Sequence, residues 1–493
     1  MGMASALVLL PLLLPQVALC AANPVHMPLF RRAGTNTLQH FLANAERARA
    51  RYGFQANSSR AGRRRATSQG FQLTDEGQDL SYFTTVSIGT PPQPLNIDLD
   101  TGSADLFVID NACIGCSDGK LFDRSRSSTF SQQADAQTLE LDFGSGSVFG
   151  VAASDTVSMQ SFTVSKQIFV TADDATTGFI QGTASGILGL AFQSIAETRA
   201  VPFWQALIND NQLSAPEMSF HLARAPSLAD APGGTFTLGG TDTAAFTGSI
   251  EFHDLAEVEG GPMFWMLRVS GATVQGKSVS ISTGNAALAA IDTGTTGIGG
   301  PTADVARIWN AVPGASPFRG DGLPPGFFQF PCSTQVSVTL SFGGQAWAIN
   351  PDDMNRGQIE EGSSLCIGAL FDLTLTGSGE PSWVIGDAFL KNVYSVFRQN
   401  PLSVGFAQLS GAIGGGGGGN TPGPTSTSSP GESGINGFIP PTMPFSQPFP
   451  SATPPHPGPS STASPSFGDA ARTMVAPTVA VISAILAVVV TVL

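Results

Sequence analysis

The sequence predicts an all-β protein, mainly antiparallel. The prediction rests on the composition, on short apolar runs separated by turn residues, and on a repeated motif. Of the 493 residues 42% are hydrophobic and only 12% charged, with 57 Gly and 35 Pro. Between about residues 80 and 409, short apolar runs alternate with Gly, Ser, Thr, Asp and Asn, the pattern of strands and turns. One short signature occurs twice in that stretch. A chain this long can bury more than one core, so we expect two or more β domains with flanking segments.

The apolar runs mark individual strands. Those that predict strands most directly are Tyr82–Ile88, Leu95–Leu99, Phe162–Val170, Thr235–Leu238, Gln335–Phe342 and Val393–Phe397. Helical spacing in this body is limited to short pieces such as Phe203–Asn209 and Ala303–Ala311.

The charge is divided unevenly. Residues 1–65 carry nine Lys/Arg and a single acid, Glu46, whereas the whole chain has a net charge of −14. One interpretation is two unrelated solubility signals. The other is a basic propeptide, held against an acidic body at neutral pH and loosened when acid protonates the carboxylates. The body has no basic stripe, so no nucleic-acid partner is expected.

Both ends suggest processing. Residues 1–22 contain an apolar run with a small-residue exit, typical of a cleaved signal peptide. The basic cluster ending at Arg65 favours proteolytic removal of a propeptide, residues 23–65. Residues 411–467 are rich in Gly, Ser, Thr and Pro and predict a flexible stalk. Residues 468–493 have the layout of a GPI-anchor signal, with Gly468 as attachment site, although a membrane span stays open.

Four cysteines remain after the predicted loss of Cys20 with the signal peptide. Cys113 and Cys116 match C-x-x-C, so a redox motif or half a zinc site is an alternative to a disulfide. The chain has no second C-x-x-C and no metal-ligand spacing among its histidines. We therefore expect disulfides Cys113–Cys116 and Cys332–Cys366, with no metal and no cofactor.

The repeated signature is Asp-Thr-Gly followed by a hydroxyl residue, each time after an apolar strand. The two copies are Asp100-Thr101-Gly102-Ser103 and Asp292-Thr293-Gly294-Thr295. Two ordinary turns would explain them, but the duplication in the same context favours a paired site.

Two carboxylates brought close together cannot both ionise cheaply, so they share one proton. The ionised member can take a proton from a water, while the protonated member donates to a substrate carbonyl. The glycine allows close approach to a carboxylate, and the following hydroxyl, Ser103 or Thr295, can orient one. Asp100 and Asp292 are therefore the predicted catalytic pair.

The motifs resemble those of pepsin-like (A1) aspartic proteases, of the fungal type with a GPI-anchor-like tail. The resemblance covers nearly the whole body. The segments that carry it, besides the two signatures, are Ile88–Gln93, Gly186–Leu190, Trp383–Leu390, Val393–Phe397 and Val404–Ala407.

This resemblance implies a bilobal fold of two β-barrel-like lobes, residues 66–245 and 246–410, with a cleft between them. Each lobe supplies one aspartate, and Gly186–Leu190 pairs with the first aspartate loop as Trp383–Leu390 does with the second. The cleft would hold an extended protein or peptide substrate in a monomeric enzyme. The implied flap includes Phe143, Gly144, Ser145 and Gly146.

Two aromatic positions depart from the family pattern. Phe143 stands where the family usually has Tyr, and Phe107 where it usually has Trp. Both partners of a family hydrogen bond are thus replaced by apolar rings, which leaves no polar group unsatisfied. Altered flap closure and a neutral exchange of packed rings are both open.

The predicted function is an acid aspartic endopeptidase, made as a secreted zymogen, inhibited by its own propeptide and tethered to the membrane by a lipid anchor. A weakly active or inactive surface protein that holds peptides in the same cleft is the alternative. A structural wall protein is a third possibility.

Overall fold

The computed structural model describes residues 24–31, 37–52, 82–113, 116, 119–133, 138–142, 147–176, 184–224, 232–320, 325–373 and 381–411. All of them belong to one compact unit of the chain. The predicted signal peptide, the stalk after Gly411, Arg65 and Gly468 lie outside the described residues. So do the predicted flap residues Phe143, Gly144, Ser145 and Gly146.

Strands dominate the first half of the described chain. They are β1 (Val25–Arg31), β2 (Tyr82–Ile88), β3 (Gln93–Asp100), β4 (Leu106–Ile109), β5 (Ser131–Gln132), β6 (Thr138–Asp142), β7 (Ser147–Met159), β8 (Phe162–Ala175), β9 (Gly186–Gly189), β10 (Glu217–Leu222) and β11 (Pro232–Leu238).

The second half has shorter strands. They are β12 (Phe246–Asp254), β13 (Met266–Arg268), β14 (Gly271–Val274), β15 (Lys277–Val279), β16 (Leu288–Ile291), β17 (Ile298–Gly300), β18 (Ser316–Pro317), β19 (Phe328–Pro331), β20 (Val338–Ser341), β21 (Ala346–Ile349), β22 (Asn355–Gln358), β23 (Leu365–Gly368), β24 (Leu370–Asp372), β25 (Trp383–Ile385), β26 (Val393–Gln399) and β27 (Leu402–Leu409).

Helices are few in the described chain. The α-helices are α1 (Thr37–Arg51), α2 (Phe203–Asn209), α3 (Thr302–Asn310) and α4 (Asp387–Leu390). Single turns of 3-10 helix occur at Arg124–Arg126, Gln193–Ile195, Gly284–Ala287 and Pro351–Met354. The predicted helix Phe203–Asn209 is confirmed with the same bounds, and Ala303–Ala311 is confirmed one residue earlier, as α3. In the described part of the chain, no helix is long and apolar enough to cross a membrane.

One large sheet links the two halves. Its order among the described strands is β12-β27-β26-β10-β11-β1-β2-β3-β9-β4-β8-β7-β5, with β6 paired to β7. The second half adds smaller sheets, β13-β16-β25-β17-β24, β15-β14-β20-β21 and β18-β19-β23-β22. The predicted bilobal all-β fold is confirmed, and the strands β10, β26 and β27 form its central connection.

The predicted propeptide contributes a strand to this sheet. β1 lies antiparallel between β11 and β2, with Met27 opposite Phe236 and Phe30 opposite Phe83. Met27 and Leu29 are buried in the main core. The segment is therefore integrated into the fold, which sequence reasoning did not anticipate.

Aromatic residues join the two halves beside the aspartate loops. Trp265 packs against Phe192 at 4.6 Å between ring centroids, against Trp204 at 5.4 Å and against Phe397 at 5.4 Å. Its indole N–H donates to the Leu190 carbonyl at 2.9 Å, so the buried polar atom is satisfied. Leu190 in turn donates its N–H to the Asp100 carbonyl, so these rings pack directly against the chain that carries the aspartate loops.

Both predicted disulfides are present. Cys113 bonds to Cys116 within a tight loop, and Cys332 bonds to Cys366 across 34 residues. The second bridge joins the chain just after β19 to β23, its neighbour in the sheet.

Candidate active site

The two signatures lie at the ends of equivalent strands. β3 runs parallel to β9, with Asp100 opposite Gly189, and β16 runs parallel to β25, with Ile291 opposite Ile385. These are the pairings that the resemblance implied for Gly186–Leu190 and Trp383–Leu390, and they are confirmed. The buried, all-apolar strand β16 and the largely buried β3 thus deliver one aspartate each to the centre of the molecule.

Each carboxylate is held by the same two bonds. Asp100 accepts the Gly102 N–H on Oδ1 at 2.9 Å and the Ser103 hydroxyl on Oδ2 at 2.7 Å. Asp292 accepts the N–H of the matching glycine at 2.8 Å and the hydroxyl of the matching threonine at 2.6 Å. The two loops therefore hold their carboxylates with equivalent hydrogen bonds.

The threonines of the two signatures lock the loops together. The Thr101 hydroxyl donates to the Ile291 carbonyl at 2.8 Å, and the Thr293 hydroxyl donates to the Leu99 carbonyl at 2.7 Å. Each oxygen also accepts the backbone N–H of the other threonine, at 3.0 and 3.1 Å. These four buried bonds set the separation of the two aspartates.

The glycines make the close approach possible. A Cβ on Gly102 would lie 2.5 Å from the Asp292 carboxyl carbon, and one on Gly294 would lie 2.3 Å from Oδ1 of Asp100. Any larger residue would push the carboxylates apart. The carboxylate in question belongs to the opposite lobe, a detail the sequence could not provide.

The end of helix α1 covers both carboxylates. Arg51 Nη1 donates to Oδ1 of Asp100 at 3.0 Å and lies 3.3 Å from Oδ2 of Asp292, and its Nη2 is 2.8 Å from Oδ2 of Asp100. The Tyr52 hydroxyl donates to Oδ2 of Asp292 at 3.0 Å. A cation and a phenol thus occupy the space above the pair.

The same helix also contacts the backbone of the second signature. The Asn44 amide donates to the Gly294 carbonyl at 3.0 Å and accepts the Thr296 N–H at 2.7 Å. Phe41 is fully buried, 6.0 Å from the ring of Phe371. Residues 37–52 therefore lie along the site and contact it both through hydrogen bonds and through apolar packing.

The electrostatics separate the two aspartates. Burial and the neighbouring charge of Asp100 together raise the pKa of Asp292 to about 6, against the opposing effect of Arg51. Burial also acts to raise the pKa of Asp100, but Arg51 and the Ser103 hydroxyl outweigh it, so that this pKa is lowered. One carboxyl thus keeps a proton more readily than its partner.

Sequence reasoning named the aspartate loops and missed the groups that cover them. Arg51, Tyr52 and Asn44 were not singled out, although Arg51 was counted in the basic segment. A detectable signal was the buried stripe of α1, since Leu38, Phe41, Leu42, Ala45 and Ala48 recur at helical spacing. Among the described residues, no cluster of His, Cys, Asp and Glu could hold a metal ion.

Phe107 is fully buried and belongs to an apolar cluster with Ile109, Leu141 and Val148. This packing is consistent with an apolar environment at the position where the family usually has Trp. Its expected partner, Phe143, lies outside the described residues, so the effect on the flap stays a prediction.

Comparison with known proteins assigns the fold and site to a family. A family model for eukaryotic aspartyl proteases matches residues 81–409. The chain is 38% identical over 362 residues to the major aspartyl peptidase 1 of Cryptococcus neoformans, covering 71% of this chain and 73% of that protein. It is 30% identical to an aspartic protease of Phaffia rhodozyma and to bovine cathepsin D, with 73% and 69% of this chain and 84% and 87% of those proteins covered. The chain belongs to the eukaryotic aspartyl protease family and is a pepsin-like aspartic endopeptidase.

Proposed function

We propose that Asp100 and Asp292 are the catalytic pair of an acid endopeptidase that is made as an inactive precursor. The observation that carries the catalytic assignment is the mirrored arrangement of the two carboxylates, each held by a glycine N–H and a hydroxyl. Both side chains are almost wholly buried, at 2% and 0% exposure. Such a pair shares a proton and needs no covalent intermediate.

The proposed reaction is hydrolysis of a peptide bond by an activated water. Ionised Asp100 takes a proton from the water, whose oxygen bonds to the carbonyl carbon, while protonated Asp292 donates to the carbonyl oxygen. When the tetrahedral species breaks down, the C–N bond is cleaved and the leaving nitrogen receives a proton from the pair. Ser103 and Thr295 keep the carboxylates oriented throughout. Burial and the adjacent charge of Asp100 raise the pKa of Asp292, which suits it to the donor role.

The proposed inhibitor is the segment 37–52. Arg51 occupies the carboxylates that would activate water, and Asn44 occupies the backbone groups of Gly294 and Thr296 beside them. A substrate cannot reach the pair while these contacts are made. This arrangement supports the predicted role of the propeptide as inhibitor.

Acid would open this closed state. In the closed state Arg51 and the Ser103 hydroxyl outweigh burial and lower the pKa of Asp100, and Asp100 loses the Arg51 counter-charge when the segment leaves. This ion pair therefore stabilises closure above the open-state pKa of Asp100, and its contribution is lost as the pH falls through the lowered closed-state pKa. We expect the segment to open as acid protonates Asp100.

Secretion and surface attachment are part of the proposal. They are supported by the apolar run within residues 1–22, the basic cluster ending at Arg65, and the stalk and apolar tail of residues 411–493. Release of the protein from intact cells by a phosphatidylinositol-specific phospholipase would support a lipid anchor at Gly468. Retention after that treatment would contradict it.

The catalytic assignment is tested by cleavage of a denatured protein at pH 3 to 6 by acid-treated full chain. We expect Asp292→Asn to abolish cleavage, and a statine-containing peptide, which mimics the tetrahedral species, to inhibit the wild type. Asp352→Asn is the matched control, because it makes the same change at an exposed position. Cleavage that survives in folded Asp292→Asn protein would refute the proposal.

A further inference from the structure

Arg49, on the same helix as Arg51, lies in a separate pocket of the second lobe. Its side chain is 7% exposed. Nε and Nη2 donate to the Asp372 carbonyl at 2.9 and 2.5 Å, and Nη2 also donates to the Pro325 carbonyl at 2.9 Å. The remaining bond, from Nη1 to Glu46 at 2.5 Å, stays within the helix. Among the described residues, each acceptor of Arg49 outside the helix is thus a backbone carbonyl of the second lobe.

Two aromatic rings complete the pocket. The guanidinium carbon lies 4.9 Å from the ring centroid of Phe327 and 5.8 Å from that of Phe371. A cation that is desolvated against aromatic faces is attracted to them. Gly326 leaves room for the guanidinium, because a Cβ there would lie 2.5 Å from Nη2 of Arg49. These features form a built site for a planar cation.

The pocket adjoins the catalytic centre through the sheet. Asp372 ends β24, which pairs in parallel with β17, and β17 begins four residues after Gly294. Phe371, one wall of the pocket, also contacts Phe41 of helix α1, on which Arg51, two residues after Arg49, contacts both aspartates. A peptide bound across the two aspartates can therefore bring a side chain to this pocket.

We propose that this pocket is a substrate subsite selective for arginine. The proposal rests on the function proposed above: once the segment 37–52 leaves, the carbonyls of Pro325 and Asp372 and the two rings lose their cation. A guanidinium restores the hydrogen bonds to both carbonyls and the contacts with both rings at once. Lysine reaches the carbonyls as a compact, strongly hydrated charge without the flat face, and a neutral side chain leaves the acceptors without a charged donor.

The test uses the acid-activated full chain and pairs of peptides that differ only in one side chain. Each pair carries arginine or citrulline, its neutral near-isostere, at one position, and the pairs scan the positions around the scissile bond. We expect one position at which kcat/KM is about tenfold higher for arginine, which is ~1.4 kcal/mol of discrimination. The ratio within a pair does not depend on the concentration of active enzyme.

Two variants locate the effect. Phe327→Leu removes the nearer ring, and we expect the arginine-to-citrulline ratio at that position to fall to about two or less while the citrulline peptide is still cleaved. Phe318→Leu is the matched control, because Phe318 pairs with Phe327 through its backbone N–H. We expect it to keep the full ratio.

The outcomes separate this inference from the proposed function. Equal cleavage of arginine and citrulline peptides at every position would overturn the subsite, and so would a preference that survives in Phe327→Leu. Failure of the wild type to cleave any peptide, with Asp292→Asn indistinguishable from it, would instead overturn the catalytic proposal.

Discussion

Removing the charge of Arg51 should increase the fraction of molecules with an open active site even without acid. In the closed state its guanidinium makes contacts of 2.8, 3.0 and 3.3 Å with the two aspartates, and its side chain is only 10% exposed. Arg51→Met keeps an unbranched stem but removes the cation. The two carboxylates then face each other beneath the helix with no counter-charge.

The loss in stability of the closed state follows from the burial of this ion pair. Loss of one partner from a buried pair costs about 3–5 kcal/mol, because the other charge is left uncompensated. The aspartates offset part of that cost by retaining a shared proton, so we take the lower end, ~3 kcal/mol. At 1.36 kcal/mol per factor of ten, the open fraction should rise by about 100-fold.

The assay is the association rate of a fluorescent statine-containing peptide with the full chain at pH 6, where the open fraction limits binding. Arg51→Met should bind about 100-fold faster than the wild type, and Arg51→Lys, which keeps a cation, should lie much closer to the wild type. The wild-type rate should rise as the pH falls below 6, and that of Arg51→Met should change far less. Arg47→Met removes the same charge one helical turn earlier. Equal rates for Arg47→Met and Arg51→Met would refute the reasoning.

Three other changes test the architecture. Thr295→Val removes a hydroxyl that lowers the pKa of Asp292, so the alkaline limb of the kcat/KM profile should move to higher pH and kcat should fall about tenfold; an unmoved limb would contradict this role. Thr101→Val leaves the Ile291 carbonyl and the Thr293 N–H unpaired, so the free energy of unfolding should fall by about 2–3 kcal/mol in urea denaturation with an unchanged m-value. An unchanged free energy of unfolding would contradict this. Cys332→Ser opens a disulfide that spans 34 residues and should cost about 2–4 kcal/mol in the same assay; an unchanged midpoint would count against a stabilising bridge.

The fold and the aspartate loops were predictable because their signals are local. An apolar strand followed by Asp-Thr-Gly is readable in a single window, and its duplication gives two copies of one site. The strand Tyr82–Ile88 and the helix Phe203–Asn209 have the bounds that their patterns predicted. The strand predicted at Gln335–Phe342 is shorter, Val338–Ser341, because only its central residues pair with β14 and β21.

The groups that cover the site depend on contacts far apart in sequence. Arg51 meets Asp292 across 241 residues, and Asn44 meets Thr296 across 252. The charge imbalance of residues 1–65 indicated attraction between segment and body, but charge alone does not select one arginine among nine. Likewise, β1 is too short and too ordinary in composition for its sequence to predict that it lies between β11 and β2.

The central claim is that Asp100 and Asp292 act as one catalytic unit, and a double-mutant comparison tests it most directly. We would measure kcat/KM on one peptide for Asp100→Asn, Asp292→Asn and the double variant, each verified as folded. If the two carboxylates share one proton and one water, either single change removes the whole effect, and the double variant is no slower than the singles. Losses that multiply, or either single variant retaining near wild-type activity, would contradict the account.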